Sequence, residues 1–127
     1  MLEIFLKQDV NDSIVKAGED AIFELGISNM PNEMIQTIGK LKYRTSYGQN
    51  VLFHSKEVAI FAGLLASELG LDKTKATRAG LLHDIGKGMD SDGNSNHAEL
   101  GAEFAKKIKE DPVVVNAIAA HHDDVKP

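Results

Sequence analysis

The chain has 127 residues, with 43% apolar and 26% charged side chains, a formal net charge of −5 and no cysteine. This length and composition suit one globular domain, and no apolar run is long enough to cross a bilayer. The missing cysteines exclude a disulfide framework and a thiolate zinc site, and the acidic balance argues against a domain that holds nucleic acid by being basic throughout.

The spacing of apolar residues in the first half of the chain predicts three helices. The first is expected at about 2–26, and a short one follows Pro31, which suits the first turn of a helix. The string YRTSYGQN at 43–50 is expected to form a loop. After it, a long helix is expected at about 50–69, where Gly70 stops it.

The second half predicts three more helices. Asp72 is well placed to cap the first of them, which should continue to about 85–86. The others are expected at about 96–109 and from Pro112 to 121–122. No segment alternates with period two over the length of a strand, so the sequence predicts an all-α bundle of about five to six helices.

Helical geometry turns several histidines toward the interior. His54 shares a stripe with Phe61 and Leu65, a face that should turn inward. Asp84 lies about 100° round its helix from His83 and close to the same contact. The histidines on inward stripes are His54, His83, His97 and His121.

These histidines and Asp84 predict a metal site. One inward histidine is more often a core residue bonded to the backbone, but each buried imidazole without a partner costs about 1–3 kcal/mol. A divalent cation would remove several of those costs together. Nitrogen and oxygen ligands without sulfur suit Mn²⁺, Fe²⁺, Zn²⁺ or Mg²⁺, and one or two such ions would attract a phosphodiester to an acidic protein.

The segment LLHDIGK at 81–87 resembles the central motif of the HD superfamily of metal-dependent phosphohydrolases, with His54 upstream and His97 and the pair at 121–122 downstream. The resemblance is strongest to the HD domain of the ribonuclease Y family. Three strings carry it: YRTSYGQNVL at 43–52, RAGLLHDIGK at 78–87 and VVVNAIAAHH at 113–122.

The resemblance implies one HD domain over 1–127, with a helical lead-in at 1–47 and a metal-binding core at 48–127. The family's last helices, with a further aspartate, would lie beyond this sequence, so a truncated bundle is expected. The family also carries a membrane anchor ahead of this domain. The sequence has no cysteine and no export signal, so the chain itself is expected to be cytoplasmic without membrane contact. The resemblance implies that its parent protein lies at the cytoplasmic face of the bacterial membrane.

The resemblance also assigns roles. Asp84 would bridge two metal ions, and His122 stays open as a ligand or a supporting residue. Lys87 resembles the lysine of the motif, which contacts substrate phosphate; a solvated lysine at a helix end is an equal alternative. The implied metal ligands are His54, His83, Asp84, His97 and His121, and the implied catalytic residues are Asp84 and Lys87.

The implied function is a metal-dependent endoribonuclease that acts on single-stranded RNA in bacterial messenger RNA turnover. One alternative is a nucleotide or cyclic-nucleotide phosphohydrolase. Another is a non-catalytic interaction or dimerisation module with an incomplete metal centre. Apolar surface uncovered by truncation predicts a homo-oligomer, and a truncated domain is expected to be weakly active or inactive.

A basic stretch precedes the predicted long helix. Lys40, Lys42 and Arg44 alternate with Leu41 and Tyr43. They are expected to guide an RNA backbone toward the metal site, or else to form a solvated basic edge.

Overall fold

The computed structural model describes the backbone of residues 2–46, 48–89 and 97–120, and the side chains of 10–45, 48–89 and 97–120. This part of the chain is helical apart from one short hairpin, which confirms the predicted all-α class. None of its helices is both long and apolar enough to cross a membrane. The α-helices are α1 (Leu2–Glu24), α2 (Asn32–Lys40), α3 (Val51–Glu68), α4 (Lys73–Leu82), α5 (His97–Lys107) and α6 (Pro112–Ala120).

A small hairpin occupies the stretch that was predicted to be a loop. Its strands, β1 (Thr45–Ser46) and β2 (Gln49–Asn50), pair antiparallel, and a 3-10 turn (Leu41–Tyr43) leads into them from α2. Gly48 has a φ of 79°, which glycine adopts without steric cost. Two-residue strands are too short for any period-two signal, which is why the sequence did not reveal them.

The predicted bounds of α3 and the predicted start of α4 are confirmed. The Asn50 side chain accepts a hydrogen bond from the Phe53 backbone amide at 3.0 Å, and the Asp72 side chain accepts one from the Lys75 amide at 3.0 Å. Gly70 follows α3 with a φ of 71°. Both N-terminal caps satisfy amides that the helix leaves without an internal partner.

The helices α3 and α4 run in opposite directions in close contact. Gly63 meets Thr77, and Gly80 lies so near α3 that a β-carbon there would be 2.7 Å from the Cα atom of Ala59. Small residues at this contact therefore permit the close approach of the two helices. This contact sets the ends of both helices beside each other.

The prediction of which face of α3 turns inward was partly wrong. Phe61 and Leu65, which share the stripe of His54, are 64% and 48% exposed, and His54 itself is half-buried. Apolar residues lie on nearly every side of α3, so periodicity could not select the buried face; close packing selected the side with small residues. That side carries Val51, Leu52, Ser55, Ala59, Gly63 and Ala66.

The end predicted for α4 was also wrong, because the helix stops at Leu82. His83 and Asp84 form a turn, with Asp84 at φ −105° and ψ 20°. A second 3-10 turn (Ile85–Gly88) follows and packs against α2 and α5. The buried side chain of Ile85 and the contact with α5 draw the backbone away from the helical path.

The last two described helices begin and end within two residues of the predicted bounds at 96–109, and at Pro112 as predicted. The predicted continuation to 121–122 lies outside the described residues. The core between the helices is made of apolar side chains, of which the largest fully buried ones are Met34, Ile38, Leu41, Leu81, Leu82, Ile85, Val114 and Ile118.

Arg78 of α4 ties three parts of the fold together. Its guanidinium donates to both carboxylate oxygens of Glu110, at 2.5 and 2.9 Å, and to the carbonyls of Ser28 and Asn29, at 2.9 and 3.2 Å. The two charged side chains are only 15% and 3% exposed. The planar guanidinium thus fixes the α1–α2 and α5–α6 connections against α4.

Candidate metal centre

The centre is organised around the carboxylate of Asp84. This residue is 4% exposed and lies in the turn that ends α4. A carboxylate this deeply buried needs compensating positive charge or hydrogen-bond donors. Three side chains predicted from the sequence to share its site supply nitrogen atoms within 3.5 Å of it.

His83 has a fixed orientation beside this carboxylate. Its Nδ1 lies 2.6 Å from the Gly80 carbonyl, and its Nε2 lies 3.1 Å from Oδ2 of Asp84. With Nδ1 donating to the carbonyl, a neutral ring presents the Nε2 lone pair to the carboxylate. Two acceptors at this distance repel each other unless a proton or a cation lies with them.

His54 approaches the same point from α3. Its ring centroid lies 5.7 Å from that of His83, with the planes inclined by 68°. His54, His83 and Asp84 each offer one ligand atom, and these three atoms lie within 4.8 Å of one another. The contact of Gly80 with Ala59 explains the proximity, because it holds the two helices at minimal separation near their site-bearing ends.

His97, at the start of α5, lies near the other carboxylate oxygen of Asp84, Oδ1. Its Nε2 lies 3.5 Å from Oδ1 of Asp84. The reason is again a glycine: a β-carbon on Gly86 would lie 1.8 Å from the His97 carbonyl oxygen. The second 3-10 turn therefore presses directly on the first residue of α5.

Lys87 also lies at the centre, with its Nζ 3.5 Å from Oδ2 of Asp84 and its side chain 24% exposed. It belongs to the second 3-10 turn, three residues after the aspartate. A half-buried lysine beside a carboxylate differs from the fully solvated helix-end lysine that was the alternative prediction. Its role as a catalytic residue stays a prediction.

Comparison with known protein families identifies the family of this arrangement. The family described as "HD domain" matches residues 51–127, which is more than half of the chain. The chain belongs to the HD-domain family.

The HD domain is similar to several curated proteins. It is 61% identical over 120 residues to Ribonuclease Y 1 of Pediococcus pentosaceus, covering 94% of this chain and 23% of that protein. It is 60% identical to Ribonuclease Y of Lactobacillus helveticus over 94% of this chain and 22% of the relative, and 54% identical to that of Treponema denticola over 94% and 24%. The chain thus spans about a quarter of the length of these relatives. No solved structure matches it.

The predicted resemblance to the HD domain of ribonuclease Y is confirmed by these matches. The dipeptide that gives the family its name is His83-Asp84, and in the structure Nε2 of His83 lies 3.1 Å from Oδ2 of Asp84.

The residues present fit a divalent cation. Two donor atoms at about 2.0–2.2 Å from one ion are separated by about 2.9–3.4 Å at right-angled to tetrahedral geometry, and Nε2 of His83 and Oδ2 of Asp84 are 3.1 Å apart. The bond from Nδ1 of His83 to a backbone carbonyl is the support that metal-binding imidazoles commonly have. The donor set contains nitrogen and oxygen only, which agrees with the chemistry predicted from the sequence.

Ser55 is a residue of this region to which the sequence analysis assigned no role. It follows His54 on the side of α3 that faces α4, its side chain is fully buried, and its hydroxyl has no hydrogen-bond partner among the described residues. The signal for it in the sequence was a polar residue between Leu52 and Ala59 on an otherwise apolar face of α3.

Two histidines of the sequence analysis, His121 and His122, lie outside the described residues. The acidic residues Glu57 on α3 and Glu99 and Glu103 on α5 are exposed.

Proposed function

We propose that this chain is the catalytic HD domain of an endoribonuclease of the ribonuclease Y type, which hydrolyses phosphodiester bonds in single-stranded RNA with a divalent metal ion. The observation that carries the proposal is the convergence of His54, His83 and Asp84 at one point. The substrate class is supported by 54–61% identity to proteins named ribonuclease Y.

In this proposal His54, His83 and Asp84 would hold one cation, and where a second cation binds, Asp84, His97 and His121 would hold it. A bound divalent cation acts as a Lewis acid on the phosphate and lowers the pKa of a coordinated water. The chain's own contribution is to fix the ligands, through the Gly80 carbonyl behind His83, so that they need little rearrangement.

Lys87 is proposed to bind a non-bridging oxygen of the scissile phosphate. Its ammonium group neutralises Asp84 in the described structure, at 3.5 Å. An ammonium group at this place would also attract a negatively charged phosphate, which is the role proposed for it.

The other predictions made from the sequence, on metal identity, division of the chain and location, are also part of this proposal. The nitrogen and oxygen donors suit Mn²⁺, Fe²⁺, Zn²⁺ or Mg²⁺. The division into a lead-in at 1–47 and a metal-binding core at 48–127, the cytoplasmic location and the parent protein at the membrane are proposed on the same grounds.

The test compares the wild-type chain with Asp84→Ala and with Asp12→Ala, which removes an exposed aspartate of α1. Elemental analysis after purification without chelator measures bound metal, circular dichroism measures helicity, and a labelled single-stranded RNA measures cleavage. Cleavage is measured in parallel in a full-length ribonuclease Y relative with the equivalent substitutions. Asp84→Ala should lose metal and cleavage with helicity retained, whereas Asp12→Ala should match the wild type.

Two results would contradict this function. Cleavage that persists in Asp84→Ala, or in excess chelator, would remove the metal mechanism. Hydrolysis of a cyclic dinucleotide or a nucleoside monophosphate in preference to RNA would establish the nucleotide phosphohydrolase instead.

A further inference from the structure

A basic stretch adjoins the start of α3, the helix that carries His54, in an otherwise acidic protein. Residues 34–56 contain four lysines and arginines and no acidic residue, while the whole chain has a net charge of −5. These cations are Lys40, Lys42, Arg44 and Lys56. Local positive charge on an acidic chain is typical of a site for an anionic ligand.

The stretch is fixed to the start of α3. The Asn50 side chain donates to the Lys42 carbonyl at 2.5 Å, and the Val51 amide donates to the Arg44 carbonyl at 3.0 Å. Leu41 is fully buried beneath it. Lys42 and Arg44 therefore belong to a backbone segment that is fixed to the first turn of α3, the turn that leads to His54.

Two aromatic rings are exposed next to these cations. Tyr43 is 53% exposed and Phe53 is 61% exposed. The Tyr43 hydroxyl is held by Ser13 at 2.9 Å, and Nζ of Lys42 lies 5.8 Å from the centre of the tyrosine ring. Exposed rings between cations are the combination that single-stranded nucleic acids bind, because bases stack on rings while cations neutralise phosphates.

A cleft of about 220 Å³ opens beside Phe53. Leu52 and Phe53 give it an apolar side, and Asp20 and Glu24 of α1 give it an acidic one; Lys42 and Lys56 also line it. Lys56 is paired with Glu24 at 3.2 Å. The cleft is smaller than a site for a drug-sized ligand, and its carboxylates turn phosphate away, so it suits a single uncharged ring.

We propose that this cleft and the basic stretch form a subsite for single-stranded RNA. One base lies against Phe53 in the cleft, and Lys42 and Arg44 bind the neighbouring phosphates. The strand then passes to His54, the next residue of α3. This inference rests on the proposed function for its RNA substrate, but binding at the subsite itself needs no metal.

The experiment measures binding of a fluorescently labelled single-stranded RNA to the whole chain by anisotropy, with chelator present so that metal-dependent cleavage cannot occur. Phe53→Leu keeps an apolar side chain and removes the ring; its matched control is Phe61→Leu, another exposed ring of α3. Loss of one stacked base should weaken binding about 5- to 150-fold in Phe53→Leu. Phe61→Leu should stay within about twofold of the wild type.

The phosphate contacts are tested by the dependence of affinity on salt. The double variant Lys42→Ala/Arg44→Ala should reduce the slope of log affinity against log salt by about 1.4, since each contact with a single strand contributes about 0.7. Lys106→Ala/Lys107→Ala removes the same charge from exposed positions on α5 and should leave the slope unchanged. Circular dichroism checks folding, and Lys42→Gln alone, with an expected change of about 0.7, replaces the double variant if that one unfolds.

The inference is overturned if the wild type fails to bind RNA at low salt, or if test and control variants weaken binding equally. Failure of the proposed function looks different. It would appear as a chain that takes up no metal and cleaves no RNA, and yet binds single-stranded RNA with the variant pattern given above.

Discussion

Replacing Gly86 with alanine tests whether the second 3-10 turn positions the metal centre. The new β-carbon would lie 1.8 Å from the His97 carbonyl oxygen and 3.1 Å from the Gly101 amide nitrogen. Both obstacles are backbone atoms, so no side chain can rotate away. The start of α5 and the 3-10 turn must separate by more than about 1 Å to restore an ordinary contact.

That displacement has two expected consequences. Overpacking of this kind costs about 1–3 kcal/mol of folding free energy. The distance of 3.5 Å between Nε2 of His97 and Oδ1 of Asp84 also increases. Since ligand positions must hold to within about 0.2 Å, we expect Mn²⁺ to bind at least about 10-fold more weakly, the effect typical of disturbed support around a metal.

The assay is calorimetric titration with Mn²⁺, together with thermal unfolding. The matched control is Gly70→Ala, at a position with φ of 71° and no heavy atom within 4 Å of an added β-carbon. It should cost a similar 1–2 kcal/mol through backbone strain without touching the centre. If both variants lose stability while Gly86→Ala keeps the Mn²⁺ affinity of the wild type, the glycine contact does not position the ligands.

Three further predictions follow from the described contacts. Arg78→Ala should lower the free energy of unfolding, measured by chemical denaturation, by about 3 kcal/mol or more, because it leaves a buried carboxylate without its partner. Lys75→Ala, which removes a more exposed ion pair at 3.5 Å, should change it by less than about 1 kcal/mol. Equal effects of the two variants would refute the stabilising role of the Arg78 contacts. Ser55→Ala should leave the melting temperature of the metal-free protein unchanged or raise it, since the buried hydroxyl bonds to nothing in the described structure, and a clear fall in that temperature would show a hydrogen bond. The exposed apolar face of α3 should drive self-association, so light scattering should give a mass above that of one chain. The double variant Phe61→Glu/Leu65→Glu should be monomeric. A monomeric wild type would contradict this prediction.

The metal centre could be predicted in large part from the sequence. The spacing of His54, His83, Asp84 and His97 on consecutive elements predicted that they meet, and the structure brings the three imidazoles to the carboxylate of Asp84. Their roles as ligands stay predictions. Ser55 was missed because its burial depends on which side of α3 faces α4, and that is not encoded in a local pattern.

The sequence by itself determined where the helices lie and most of their ends, because caps such as Asn50 and Asp72 and a stop such as Gly70 act within a few residues. Only the tertiary structure decided which side of α3 is buried and where α4 ends. Both depend on contacts between distant segments: Gly80 against Ala59, and Gly86 against His97. Backbone approach at these two glycines follows from the shapes of partners far away in the chain, and hydrophobic periodicity contains no information about it.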